Sequence, residues 1–276
     1  MKSQRKPVGS SGVQTFYDRM APFYHLIFPD WERSIERHAQ MLDAVIRGRW
    51  DEATPRRAEL LDVACGIGTQ ALGLARLGYR VTASDLSPAA VRRARAEAEA
   101  RGLSISVSVA DMREAYAHHG RAFDVVLACD NALPHLLTDD DLFAALCQLY
   151  RCTRGGGGCL ISVRDYAQME RVATDHPRGA GVQLYGIREE NGVRTLVFQA
   201  RRFRQAPRFG GQIYDVEMYF VEDTGEDTCE THVMRTRYYA VDTNTLIGLM
   251  ERARYVDVQR LDGVYFQPLL VGTRPS

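Results

Sequence analysis

Between Glu59 and Asp165 short apolar runs alternate with helical segments, and this alternation limits the possible folds more than any other feature of the chain. The runs ELLDVA (59–64), YRVTASD (79–85), ISVSVAD (105–111), FDVVLACD (123–130) and GGGGCLISVRD (155–165) have strand length and end in small or acidic residues. Between them QALGLARLG (70–78) stops at Gly78, and SPAAVRRARAEAEARG (87–102) starts with Ser87 as N-cap and Pro88 at the first helical position. TDDDLFAALCQLYRCT (138–153) carries acids in its first turn, where a helix dipole favours them. The pattern predicts an α/β fold, a doubly wound, mostly parallel sheet with helices on both faces and right-handed crossovers.

The pattern changes on both sides of this block. Residues 1–14 (MKSQRKPVGSSGVQ) are polar and rich in glycine and serine, and read as a disordered leader. Residues 15–58 read as a helical cap: an aromatic stretch broken by Pro22 and Pro29, then apolar positions Ile35, Met41, Leu42, Val45 and Ile46 at helical spacing, with Gly48 as the stop. Residues 166–240 contain four β-rich runs, VQLYGI, RTLVFQARRF, QIYDVEMYFV and CETHVMRTRYYAV, separated by turn signals at 191–192 (NG), 210–211 (GG) and 224–227 (TGED). They predict an antiparallel insertion after the fifth strand. Residues 241–276 return to the core with a helix, VDVQRL and a last strand, PLLVGTR. The basic run Gln199-Ala200-Arg201-Arg202-Phe203-Arg204 reads as a solvated strand face.

Charge and cysteine content narrow the function classes. Lys+Arg and Asp+Glu are 35 each, so no electrostatic footprint for nucleic acid is expected. No apolar run is long enough to span a bilayer, and the N-terminus lacks the apolar core of a secretion signal. The six cysteines form no C-x-x-C pair and no zinc cluster; they read as reduced thiols of a cytoplasmic protein without a metal site. A homo-oligomer is compatible with the β-rich insertion.

The chemistry concentrates at three strand ends. Asp62-Val-Ala-Cys65-Gly66-Ile-Gly68-Thr-Gln-Ala71 joins a strand to a helix N-terminus through residues small enough to let a ligand approach the backbone. The same residues fit G-x-G-x-x-A, a dinucleotide fingerprint, so a nicotinamide-dependent dehydrogenase stays open on this turn alone. Asp62 precedes the glycines, where a negative charge suits an amino group better than a pyrophosphate. Asp85 ends the next strand, placed to accept from two ribose hydroxyls. Asp111 ends the third, able to accept from an adenine amino group, with Met112 as a soft apolar neighbour for the ring.

This set resembles the class I S-adenosylmethionine-dependent methyltransferases over residues 59–165 and 243–274. The resemblance implies a seven-stranded sheet with a final antiparallel strand, and S-adenosylmethionine as cofactor. It implies a cofactor site drawn from Tyr24, Trp31, Arg37, Asp62, Ala64, Cys65, Gly66, Asp85, Leu86, Asp111, Met112 and Cys129. Three further segments are similar to glycine/sarcosine N-methyltransferases: Cys129-Asp-Asn131-Ala-Leu-Pro-His135-Leu, Val163-Arg164-Asp165-Tyr166, and the stretch from Tyr24 through Trp31 to Arg37. The long insertion fits the same enzymes, in which it covers the substrate.

That second resemblance implies a small amine as methyl acceptor, foremost an amino acid such as glycine or sarcosine. Arg164 would clamp its carboxylate bidentately and Asn131 would orient it. An α-amine is mostly protonated at neutral pH and must lose a proton before it attacks. His135 and water are the candidate bases, and Tyr238 or Tyr239 would reach the substrate from the end of the insertion. Amino-sugar N-methyltransferases, and O- or C-methyltransferases acting on aromatic acceptors, share weaker features and stay as alternatives. So does a cofactor-binding protein without turnover.

Overall fold

The structure is a computed structural model that describes residues 10–50, 58–166, 168, 180–203, 212–225 and 227–276. Within it the first strand, β1 (Glu59–Asp62), is fully buried beyond its first residue and lies at the centre of a sheet. Parallel neighbours β2 (Arg80–Asp85), β3 (Ser106–Val109), β4 (Phe123–Ala128) and β5 (Thr153–Ser162) follow in chain order. The sheet is completed by β10 (Val256–Leu261) and β11 (Leu269–Thr273), giving seven strands in the order β10-β11-β5-β4-β1-β2-β3. Strand β11 runs antiparallel to both its neighbours, as the resemblance implies for the last strand.

Strand alternation explains how one sheet holds two cores. Leu61, Val126 and Ile161 point to one face and pack with Leu142, Leu146 and Leu149 of α6 (Asp139–Cys152) and with α7 (Thr243–Arg252). Leu60, Val125 and Leu160 point to the other and pack with Leu42 and Ile46 of α2 (Trp31–Trp50) and Leu74 of α3 (Thr69–Arg76). Burial on both faces is why these strands read as continuous apolar runs rather than as alternating ones. Helix α4 (Pro88–Ala100) begins as predicted, with the Ser87 hydroxyl accepting from Ala90 N. Helix α5 (Ala115–His119) precedes β4.

Four antiparallel strands, β6 (Ala180–Glu190), β7 (Val193–Phe203), β8 (Gln212–Asp223) and β9 (Cys229–Ala240), form a second sheet between β5 and α7. Its first turn is the predicted Asn191-Gly192 pair, both in the left-handed region. The predicted turn at 210–211 lies outside the described residues. One face of this sheet is apolar: Val197, Met218, Phe220 and Met234 pack against Phe16, Met20 and Leu26 near the N-terminus.

Three expectations need correction. Residues 1–9 of the expected leader lie outside the described residues, but α1 spans Ser10–Met20, so Ser10 to Gln14 are helical rather than disordered. Phe16 and Met20 of α1 bury their side chains against the second sheet, and the Asp18 carboxylate accepts from Ser87 Oγ (2.6 Å) and Ala89 N (3.0 Å) at the start of α4. Tertiary docking orders a segment whose composition favours disorder. Helix α2 runs through Gly48 to Trp50, because Trp50 is anchored by Nε1 donation to Thr273 Oγ1 (3.0 Å) and lies so close to β5 that a Cβ on Gly158 would be 2.5 Å from its ring. The basic run at 199–204 is only partly solvated. Gln199 is buried and Arg201 points with it toward the first domain, donating to Gln199 Oε1 (2.9 Å). Arg202 is exposed and Arg204 lies outside the described residues. Among the described residues no helix is long and apolar enough to cross a membrane.

Candidate active site

The carboxyl ends of β1, β2 and β4 open into a single cleft, where sheets of this kind bind ligands. Its floor is Val63 to Gly66. Gly66 (φ +54°) and Gly68 (φ +100°) both use the left-handed backbone that glycine adopts without strain. A Cβ on Gly66 would stand 3.0 Å from the Tyr24 ring, so the turn and Tyr24 close on each other only because the side chain is absent.

Asp85 is held at the cleft by two amides, accepting from Gly66 N and Ser87 N at 2.8 Å each. Burial holds its carboxyl above the usual carboxylate range, against the opposing pull of these amides. Asp62 lies behind the glycine turn, 1% exposed. Its Oδ1 accepts weakly from Ala64 N (3.3 Å), while the buried Oδ2 has no hydrogen-bond partner among the described residues. Desolvation, with the Asp85 charge adding to it, pushes Asp62 up to about 7. A buried carboxylate oxygen without a donor is costly unless a ligand supplies one. Asp111 lines the cleft with Met112, and Arg113 engages both its oxygens (Nη2 to Oδ2 2.7 Å) while also donating to Asp141 (3.0 Å).

Ala64, Cys65, Leu86 and Cys129 line the same cleft. Burial raises the thiols of Cys65 and Cys129 well above their ordinary range, so both are packing groups rather than nucleophiles. Trp31 and Arg37, by contrast, are absent from the cleft wall. Trp31 Nε1 donates to Thr69 Oγ1 (3.0 Å) from behind α3, its ring under the guanidinium groups of Arg93 and Arg101. Arg37 is exposed, because the helix period turns Ile35, His38, Ala39 and Leu42 inward and leaves it on the opposite face.

The far end of the cleft is assembled from remote segments. His135 lines it, and its Nε2 shares a 2.8 Å hydrogen bond with the Tyr17 hydroxyl of α1. Burial lowers His135 to about 3, with the Arg164 charge contributing, so the ring is neutral. Asn131 does not face the cleft. It is 1% exposed, accepts from Arg164 N (3.1 Å) through Oδ1 and donates to the Tyr166 hydroxyl (2.9 Å) through Nδ2. Arg164 lies behind the cleft wall with its guanidinium 5.5 Å from the Tyr238 ring centre, and its buried Nη1 has no partner among the described residues. Tyr166, Tyr214 and Tyr238 pack around one another beside it. Tyr239 is not part of this cluster. The alternation of β9 turns Tyr238 inward and Tyr239 the other way, where its hydroxyl donates to Asp139 (2.8 Å).

Sequence reasoning missed Tyr17 and Asp130, both on the cleft wall. Tyr17 lies in the aromatic stretch of the expected helical cap, where nothing local sets it apart from its aromatic neighbours. Asp130 follows Cys129 in a motif already singled out, and its signal was the acid at the end of a fourth strand.

Residues 60–157 match the family described as "Methyltransferase domain". A putative methyltransferase, YqeM, of Bacillus subtilis is 30% identical over 128 residues, 46% of this chain and 51% of that protein. A glycine/sarcosine N-methyltransferase of Parasynechococcus marenigrum is 28% identical over 160 residues, 58% of this chain and 56% of that protein. The chain thus spans about half the length of these relatives. The solved structure of the S-adenosylmethionine-bound amino pentose methyltransferase CalS10 of Micromonospora echinaspora shares the fold, with a TM-score of 0.65 at 22% identity, covering 86% of this chain and 91% of that one.

Proposed function

From the premise that residues 60–157 form a methyltransferase domain of the class I S-adenosylmethionine-dependent type, we propose that the protein transfers a methyl group from that cofactor to a small-molecule amine, foremost an amino acid such as glycine or sarcosine. The cofactor supplies an electrophilic methyl on a sulfonium. The residues present fit it. Asp62 Oδ2, buried and without a donor, suits the methionyl ammonium. The left-handed glycine turn leaves the room that a Cβ on Gly66 would fill, and Asp85 keeps lone pairs for a ribose diol beyond its two amide bonds. A pyrophosphate would meet both acids, which disfavours the nicotinamide alternative.

The observation that carries the amino-acid reading is the buried Nη1 of Arg164, which has no partner among the described residues. A guanidinium enclosed by tyrosines calls for an anion, and a carboxylate meets its fork in two parallel bonds. Asn131 shapes this seat by holding the Arg164 backbone and Tyr166, so its role is to position rather than to touch the substrate. The remaining work of the chain is alignment and exclusion of water: α1, the second sheet and Tyr24 cover the reacting end.

The test is S-adenosylhomocysteine formation with glycine, sarcosine, dimethylglycine, an amino-sugar nucleotide and a phenolic amino acid. Turnover with glycine or sarcosine supports the reading. Turnover with the amino-sugar nucleotide alone replaces it with the second reading, a sugar N-methyltransferase, which the aromatic lining by Tyr17 and Tyr24 and the fold shared with CalS10 favour.

A further inference from the structure

Asp130 has no part in the reading above, yet the loop that carries it is built with unusual care. Asp130 (φ +56°) and Asn131 (φ +64°) are consecutive non-glycine residues in the left-handed region, which Asp and Asn enter more readily than other side chains. The strained pair is pinned from β5 onward. Asp130 N donates to Ser162 Oγ (2.7 Å), Asn131 N to Ser162 O (3.1 Å), and Arg164 N to Asn131 Oδ1 (3.1 Å). An extended backbone here would carry the chain onward along β4; the pinned turn instead leaves Asp130 on the cleft wall beside Cys129, Ala132 and His135. The Arg164 charge and a hydrogen bond from the Tyr24 hydroxyl both favour its ionised form. The other titratable groups near it are Tyr265, from the β10–β11 connection, and the adjacent Cys129. The Asp62 and Asp85 carboxylates lie further along the same sheet edge.

A carboxylate on the cleft wall and a guanidinium behind that wall, the latter with a buried N–H that has no partner among the described residues, complement a zwitterion: ammonium toward Asp130, carboxylate toward Arg164. We infer that Asp130 holds the ammonium group of the acceptor and takes the proton that must leave before methyl transfer. The inference rests on the amine reading of the same site. One N–H proton passes to an Asp130 carboxylate oxygen, and the freed nitrogen lone pair forms the N–C bond. The C–S bond breaks with its electron pair going to sulfur, which leaves as the neutral thioether. The methylated nitrogen carries the positive charge, and Asp130 returns its proton to solvent. Burial, the largest influence on Asp130, raises its carboxyl above the usual range, which narrows the gap to an ammonium. His135, lowered to about 3 and occupied by Tyr17, is the poorer proton acceptor.

The experiment compares the wild type with Asp130→Asn, which tolerates the left-handed backbone, on glycine, sarcosine and the amino-sugar nucleotide between pH 6.5 and 9.5. The expected result is a loss in kcat on the order of a hundredfold near pH 7. The loss shrinks as the pH approaches that of the free amine, while the melting temperature and S-adenosylhomocysteine affinity stay at wild-type values. A deficit equal at both ends of the range, or no deficit on an amine that the wild type methylates, overturns the role of Asp130 and leaves the amine reading standing. A wild type that methylates none of these amines overturns the amine reading, and the role of Asp130 with it.

Discussion

The two ends of the cleft are built in different ways. The proposed cofactor end uses short pieces of contiguous chain: Gly66, Asp85 and Met112 on the cleft wall, and Asp62 behind the glycine turn, lie at or just beyond the ends of β1, β2 and β3. The proposed acceptor end brings Tyr17 from α1 and Asp130 and His135 after β4 to the wall, with Arg164 after β5 and Tyr238 from β9 behind it, segments up to 221 residues apart in sequence (238 − 17). The first can be recognised by strand and turn chemistry alone. The second depends on how α1 and the second sheet dock, and so is where enzymes sharing this sheet can diverge in substrate.

Mutations that respect this division should separate cofactor binding from acceptor use. The largest effect is expected for Asp85→Ala, which removes the acceptor of two amide bonds and the expected ribose contact. Loss of charged hydrogen bonds at roughly 1.5–3 kcal/mol each predicts S-adenosylhomocysteine affinity down by on the order of a hundredfold by calorimetry. Unchanged affinity would break the assignment of this end. Next, Arg164→Ala should raise KM for an amino-acid acceptor by about ten- to a hundredfold, with S-adenosylhomocysteine binding unchanged. An equal effect on both ligands would show that the two ends are not separable.

A pH series sharpens the same contrast at the cofactor end. Asp62 is raised to about 7, and a bound ammonium favours its ionised form. Below that value binding must expel the Asp62 proton, so affinity should fall by up to about tenfold per pH unit below 7 and level off above it. Asp62→Asn should weaken binding at high pH and flatten this dependence; a profile unchanged by the substitution would remove the ammonium contact. The smallest effect is expected for Tyr17→Phe, which deletes one neutral hydrogen bond to His135. Roughly 1 kcal/mol predicts a loss of about fivefold in kcat/KM with little change in cofactor affinity.

What was legible in the chain follows from the range of the interactions. Ser87 and Pro88 announce α4 because capping is a contact between near neighbours, and Asn191-Gly192 announces its hairpin because both residues must adopt a positive φ. Trp31 and Arg37 were drawn toward the cleft by resemblance alone, although the helix period that buries Ile35 and Leu42 already leaves Arg37 on the outer face. Tyr238 and Tyr239 are neighbours that the alternation of one strand separates, and nothing in the dipeptide says which points inward. The N-terminal segment failed in the opposite sense. Residues 10–14 have the composition of a mobile end, but they continue into a helix whose Phe16 and Met20 find an apolar face some two hundred residues away, on a sheet that exists only after folding.

The sequence by itself determined the alternation of strands and helices, the glycine turn and the acids that line the carboxyl edge. Each of these rests on φ/ψ preference, strand length or burial pattern, quantities set within a dozen residues. The tertiary structure alone decided the far end of the cleft. It turned Asp130 into the cleft through the bonds that Asp130 N and Asn131 N donate to Ser162, left one N–H of Arg164 buried without a partner among the described residues, and docked α1 on the second sheet beside the cleft. Those outcomes depend on long-range packing and on which polar atoms packing strands without water, and no local pattern encodes either.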